Sequence, residues 1–136
     1  MKEYIRKNLV GFITLIASLL LAIGAVSFFA ACGPNDEGEW MTCHYAQNIV
    51  ALFGLLLAVL SLLRLCLPDR FMTDRGLLLA IATSALCCMF VPGILIPLCM
   101  METMRCHAIM RPASIVLCTI IFICALFDFF KKSVDR

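Results

Sequence analysis

The sequence predicts an all-α membrane protein of four transmembrane helices, arranged as two helical hairpins that repeat one another. Three observations predict it. The 136 residues are 63% hydrophobic and only 15% charged, a balance far from that of water-soluble domains and suited to a chain solvated by lipid. Apolar stretches long enough to cross a bilayer occur at four places and together use up almost the whole chain. Met41-Thr42-Cys43-His44 recurs as Met104-Arg105-Cys106-His107, and the two copies take both histidines in the chain. Each copy has a cysteine upstream, Cys32 or Cys99, and an apolar run after it, so the unit reads helix, Cys-Met-Cys-His loop, helix. The chain is one domain, 1–136, with repeat halves of about 1–67 and 68–136.

The first span contains Leu9 to Ala31, in an interval without charge between Lys7 and Asp36; at about 1.5 Å per residue it exceeds the roughly 30 Å hydrocarbon core. Lys2, Arg6 and Lys7 before an apolar run also resemble a signal peptide. The run is longer than the usual roughly 7 to 15 residue apolar region, Phe29-Ala30-Ala31-Cys32 fits a lipoprotein cleavage pattern poorly, and removal would delete half of the repeat. The second span runs from about Tyr45 to Leu63. The third fills the uncharged interval from Gly76 to Met101, where Pro92, Gly93 and Pro97 predict a kink or an early unwinding. The fourth runs from Pro112 to about Phe130. Between the hairpins, Leu67-Pro68-Asp69-Arg70 stops a helix and keeps the link in water.

Basic residues set the orientation. Of the 11 lysines and arginines, only Arg105 and Arg111 fall on the side of the motif loops. Lys2, Arg6, Lys7, Arg64, Arg70, Arg75, Lys131, Lys132 and Arg136 fall on the side of the termini and the middle link. The positive-inside bias therefore predicts a plasma-membrane protein with both termini cytoplasmic and both motif loops outside, where Trp40 and Tyr45 serve as interface anchors. Two hairpins that both start inside are parallel repeats about an axis along the membrane normal, which would gather the two motifs at one end of the bundle. The net charge of +2 is orientation information and gives no reason to expect nucleic acid.

The nine cysteines divide by depth. Cys66, Cys87, Cys88, Cys118 and Cys124 sit in or at the ends of spans, where cysteine packs as a small hydrophobe. Cys32, Cys43, Cys99 and Cys106 lie two per outer loop, on the oxidising face, in the even number that disulfides need. Their pairing is open: within each loop, or across the repeats in either of two ways. A disulfide asks for no neighbouring Met or His, whereas soft-metal chemistry does. Thiolate and thioether suit Cu(I), and imidazole suits copper or zinc, so Met41, Cys43, His44, Met104, Cys106 and His107 form a candidate metal set. Within it, Cys43, His44, Cys106 and His107 would make a four-coordinate Cys2His2 site. Haem held by His44 and His107 is a weaker form of the same idea. No Cys-x-x-Cys is present.

A redox reading competes. Four spans, termini inside and a cysteine pair in each outer loop is the layout of the quinone-reducing, disulfide-forming membrane enzymes. Cys43, at the N-terminal end of a helix, and Cys106, beside Arg105, are placed to favour thiolates. The Cys-x-x-Cys those enzymes carry is missing, so the likeness is one of architecture. Other catalytic signatures are absent: no phosphate-binding Gly loop, no Ser-His-Asp arrangement, no carboxylate pair within the spans. Asp128, one turn from Lys131 and Lys132, is expected to be an interfacial ion-pair partner. Asp36, Glu37 and Glu39 make the first outer loop acidic around the Gly33-Pro34 turn.

The segments Glu39-Trp40-Met41-Thr42-Cys43-His44-Tyr45-Ala46 and Ile96-Pro97-Leu98-Cys99-Met100-Met101-Glu102-Thr103-Met104-Arg105-Cys106-His107-Ala108-Ile109-Met110-Arg111-Pro112 resemble an uncharacterised family of small bacterial four-span membrane proteins. The resemblance extends over nearly the whole chain, including the paired Met-x-Cys-His segments, the upstream Cys99 and the following Pro112. It implies the topology, a bacterial plasma membrane, and association with transport systems of the lipoprotein-export ABC permease kind; it supplies no activity. The reading is a non-enzymatic binding or accessory protein, partnered by the lipid bilayer and by a transporter subunit or further copies of itself. Its outer Cys, His and Met residues would hold a soft metal or form disulfides.

Overall fold

A computed structural model describes residues 2–28, 36–39, 42–67, 71–96 and 106–134, the side chains of 3–5, 7, 71–73, 106 and 107 excepted. Among these residues the regular elements are all helices, with no strand. Helix α1 is Lys2–Val26, α2 Thr42–Cys66, α3 Phe71–Phe90 and α4 Arg111–Val134, the last continued from a π-helical turn at Cys106–Met110. The helices run around a ring in chain order, α1 against α2, α2 against α3, α3 against α4, and α4 closing on α1.

Neighbours are antiparallel. Gly11 meets Leu65 while Gly54 meets Ala22, so the start of α1 lies by the end of α2. Asp74 reaches Lys132 while Met89 reaches Thr119, which sets α3 against α4 in the same sense. One end of the bundle therefore holds the start of α1, the α2–α3 junction and the end of α4; the other holds the end of α1, the start of α2 and the α3–α4 connection.

Small residues fill much of the interior beside a few large ones such as Leu21, Leu57, Ile81 and Met110, and most other large residues stand outward. On α1 the interior receives Thr14, Ala17, Ser18, Leu21 and Ala25, while Phe12, Ile16, Leu20 and Ile23 stand in the surroundings, Phe12 at 58% and Ile23 at 59% exposure. That is the inverse of a water-soluble bundle. It is what lipid permits, because tails are as apolar as leucine and helices then associate through small residues that let backbones approach. The closest approach is at Gly54, where a Cβ would stand 2.7 Å from the amide nitrogen of Ala22. The buried hydroxyls of Thr14 and Ser18 do not need a partner helix. Thr14 donates to the Gly11 carbonyl at 2.8 Å and Ser18 to the Thr14 carbonyl, so they satisfy themselves on their own helix.

Three of the expected spans are present: Asn8–Val26, Thr42–Cys66 and Ala108–Val134 are long and apolar enough to cross a membrane. The third expectation is corrected. In place of a run to Met101, α3 ends at Phe90 and residues 91–96 fold back, with amides of Leu95 and Ile96 donating to the carbonyls of Phe90 and Val91, each at 3.1 Å. Pro92 has no amide to continue the helix, and Gly93 takes φ +97°, a conformation other residues resist. The early unwinding foreseen at Pro92 and Gly93 is thus what ends the element. From Gly76 to Phe90 the charge-free part of α3 measures about 22 Å at the helical rise, short of a bilayer core of roughly 30 Å.

Candidate functional site

Helix α2 buries Cys43, Ala46, Gln47, Val50, Gly54, Leu57, Ala58 and Ser61, a stripe recurring at three and four residues. Cys43 is its first member. That periodicity turns the sulfur into the bundle, where it has no exposed surface. His44, one residue on, is rotated off the stripe and half-buried; its ring meets Tyr45 edge-on with centroids 6.4 Å apart. Sequence reasoning ended the motif loop at His44 and set Cys43 at the N-terminal end of a helix; both residues occupy the first turn of α2. In the second motif, Cys106 and His107 open the π-helical turn before α4, at the same end of the bundle. Their side chains, together with Cys32, Met41, Cys99 and Met104, lie outside the described residues.

Below the motif, Arg111 folds over the 91–96 turn: its guanidinium carbon lies 3.4 Å from where a Cβ on Gly93 would stand. Met110 is buried beside it in the core.

The opposite end carries a group that sequence reasoning did not find. Arg64 near the end of α2 divides its guanidinium between two other helices. Its Nε donates to Asp74 Oδ1 on α3 at 2.9 Å, and its Nη2 lies 2.7 Å from Asp128 Oδ2 on α4. Lys132, one turn beyond Asp128, pairs with the other oxygen of Asp74. The side chains of Arg64, Asp74 and Asp128 retain only 6%, 8% and 9% exposure. Two cations and two carboxylates leave no net charge, which is the condition under which such groups tolerate burial. The Arg64–Asp128 contact is close but outside hydrogen-bond direction, so it is chiefly Coulombic. Burial by itself raises the Asp74 carboxyl, but hydrogen bonds from Lys132 and Arg64 and the charges behind them outweigh that and hold it below its ordinary value. Arg75, next to Asp74, stands over the Phe129 ring, 5.7 Å from its centroid, a cation–π contact.

The pairing expected for Asp128 within α4 is therefore replaced. Asp128 belongs to the inward stripe Ser114, Cys118, Ile121, Ala125 and Asp128, which aims it across the bundle at Arg64. The available signal was that stripe: an acid in phase with the buried positions of its helix calls for a cation on another one.

The comparisons fit the reading of the residues. Residues 14–131 match the family described as Domain of unknown function (DUF4418), and the chain belongs to that family. No curated protein and no solved structure matches the chain.

Proposed function

We propose that the chain is a non-enzymatic accessory protein of the plasma membrane. In this reading it crosses four times with both termini cytoplasmic and the repeat halves related about an axis along the membrane normal. Disulfides brace its outer end and present it to a membrane partner such as a transporter subunit. The observation that carries the reading is Cys43, a sulfur buried in the first turn of α2 at the motif end. Cys66, Cys87, Cys88, Cys118 and Cys124 are free, which leaves Cys32, Cys99 and Cys106 as the candidates to pair with it. A disulfide at this end fits an oxidising, extracytoplasmic face. The orientation draws support from the gathering of Arg64, Arg75 and Lys132 at the other end. The short α3 fits a crossing completed by residues after Phe90, as irregular backbone within a membrane needs to be covered by protein.

The soft-metal reading uses the same residues. A disulfide sulfur is not a thiolate, so copper or zinc at Cys43, His44, Cys106 and His107, with Met41 and Met104 nearby, requires the reduced state. One experiment separates the readings: thiol counting with and without reductant beside metal analysis of purified protein, repeated with a quinone supplied. Four outer cysteines oxidised and no metal supports the brace. Metal that is retained by the wild type and lost on replacing His44 and His107 together by Ala supports a metal site. Quinone-dependent re-oxidation of the outer cysteines supports a thiol oxidase.

A further inference from the structure

The lipid-facing side of α2 carries one group that lipid cannot satisfy. Opposite its buried stripe, α2 exposes a row made of Tyr45, Asn48, Leu52, Leu55, Val59 and Leu62, and Asn48 stands in it one turn deeper than Tyr45. The 25 residues of α2 measure about 37 Å at the helical rise; centred on a core of roughly 30 Å, the helix holds Asn48 about 5 Å inside the hydrocarbon. Exposed hydroxyls elsewhere are satisfied one turn back along the chain, Thr83 donating to the Leu79 carbonyl at 2.9 Å and Ser27 to the Ile23 carbonyl. The Asn48 carboxamide has no hydrogen bond among the described residues. It presents two donors and an acceptor, and holding such a group without partners in an apolar medium is costly.

Lipid tails offer such a group nothing, and lipid esters only accept. A second carboxamide both donates and accepts. The row recurs at intervals of three, four, three, four and three residues, the spacing that keeps a seam turned toward a parallel partner helix in a left-handed pair, which is the usual crossing in membranes. Copies of one chain share an orientation in the bilayer, so a two-fold axis along the membrane normal sets each residue of the row against itself. Asn48 then meets Asn48 of the second copy. Beside it the surface is concave: Ala22, Val26 and Ser27 of the α1 side, with Asn48 and Ala51 of α2, line a groove of about 650 Å³, and its small side chains let another backbone come close.

We propose that the chain forms a parallel homodimer through this face of α2, with the two Asn48 carboxamides hydrogen-bonded to each other across the two-fold axis. The carboxamide is what selects the partner. An apolar row packs against any apolar helix, whereas a single polar position within such a row fixes register and the number of copies. The dimer rests on insertion in a bilayer alone, and not on the disulfides or the metal considered for the outer end.

The test places the full chain, labelled with one fluorophore at its N-terminus, in lipid vesicles over a range of protein-to-lipid ratios and counts copies by stepwise photobleaching. Wild type should be dimeric and should part on dilution. Asn48→Leu, which leaves the row apolar, should weaken association about 5- to 30-fold, the scale of an interhelical hydrogen bond between carboxamides in a membrane, and Asn48→Gln should restore it. Under mild oxidation, Leu55→Cys and Val59→Cys should each form a disulfide with the same position of a second copy. Leu56→Cys and Leu63→Cys, at positions exposed like Val59 but off the row, should not. A wild type that stays single at every ratio, or that assembles beyond two copies, would overturn the proposal. So would dimers indifferent to Asn48→Leu, or linked through Leu56→Cys in place of Leu55→Cys. Where Asn48→Leu fails to insert, the wild-type copy number and the cysteine pattern decide.

Discussion

Gly54 has no side chain because the backbone of Ala22 occupies the space one would need. Gly54→Ala should therefore destabilise the α1–α2 pair by about 1 to 3 kcal/mol, the usual cost of overpacking, read as a lower unfolding midpoint in detergent; an unchanged midpoint would show that the helices part freely there. Arg64 is the second residue on which much depends, because removing it strands the buried carboxylate of Asp128 and leaves Asp74 with Lys132 alone. Arg64→Ala should cost about 3 to 5 kcal/mol, and Arg64→Ala combined with Asp74→Asn and Asp128→Asn should recover part of that loss. Equal stability of the single and triple variants would contradict the ion-pair account. Asp74 adds a pH dependence whose sign is fixed. Its folded carboxyl lies below its ordinary value, so its contribution is present above about pH 3.9, the unfolded reference, and is lost as pH falls through the folded value. Melting curves of the wild type should drop below about pH 4, and Asp74→Asn should flatten that drop. The Gly54 contact could not be read from local sequence, and of the Arg64 cluster only the inward phase of Asp128 could, since the partner depends on which residue of a distant helix lies opposite.

At the scale of elements, apolar length made α1, α2 and α4 legible; α2 and α4 run a few residues past their expected bounds at both ends, whereas α1 starts earlier, at Lys2, and ends at Val26 instead of Ala31. Helix α3 was legible in part: the early unwinding expected at Pro92 and Gly93 is present, but the helix ends at Phe90, because a turn that closes its own hydrogen bonds outweighs the apolar length beyond it. Gly93 makes this testable. At φ +97°, Gly93→Ala should cost on the order of 1 to 2 kcal/mol, and it should loosen amide protection at Leu95 and Ile96 before it affects the core of α3. Uniform loss of protection along α3 would mean that the turn and the helix are one unit.

For the whole molecule, the composition disclosed a lipid-solvated bundle, and the structure bears that out in an interior rich in small side chains and an exterior of large apolar ones. Orientation rests on charge. Cys66, free and exposed at the basic end, should react with an impermeant thiol reagent only in inverted vesicles, while Asp36→Cys should react only in right-side-out ones; the reverse pattern would turn the molecule over. The motif was legible as a repeat, and the burial of Cys43 follows from its place on the α2 stripe. Its oxidation state was not legible, because a sequence does not show which sulfur a sulfur meets. That makes the bonding of Cys43 the most direct test of a braced outer end. Non-reducing peptide mapping of protein purified from membranes, with thiols blocked at lysis, should find Cys43 linked to Cys32, Cys99 or Cys106, with no metal bound. A Cys43 recovered alkylated, in protein holding a stoichiometric metal, would contradict the account.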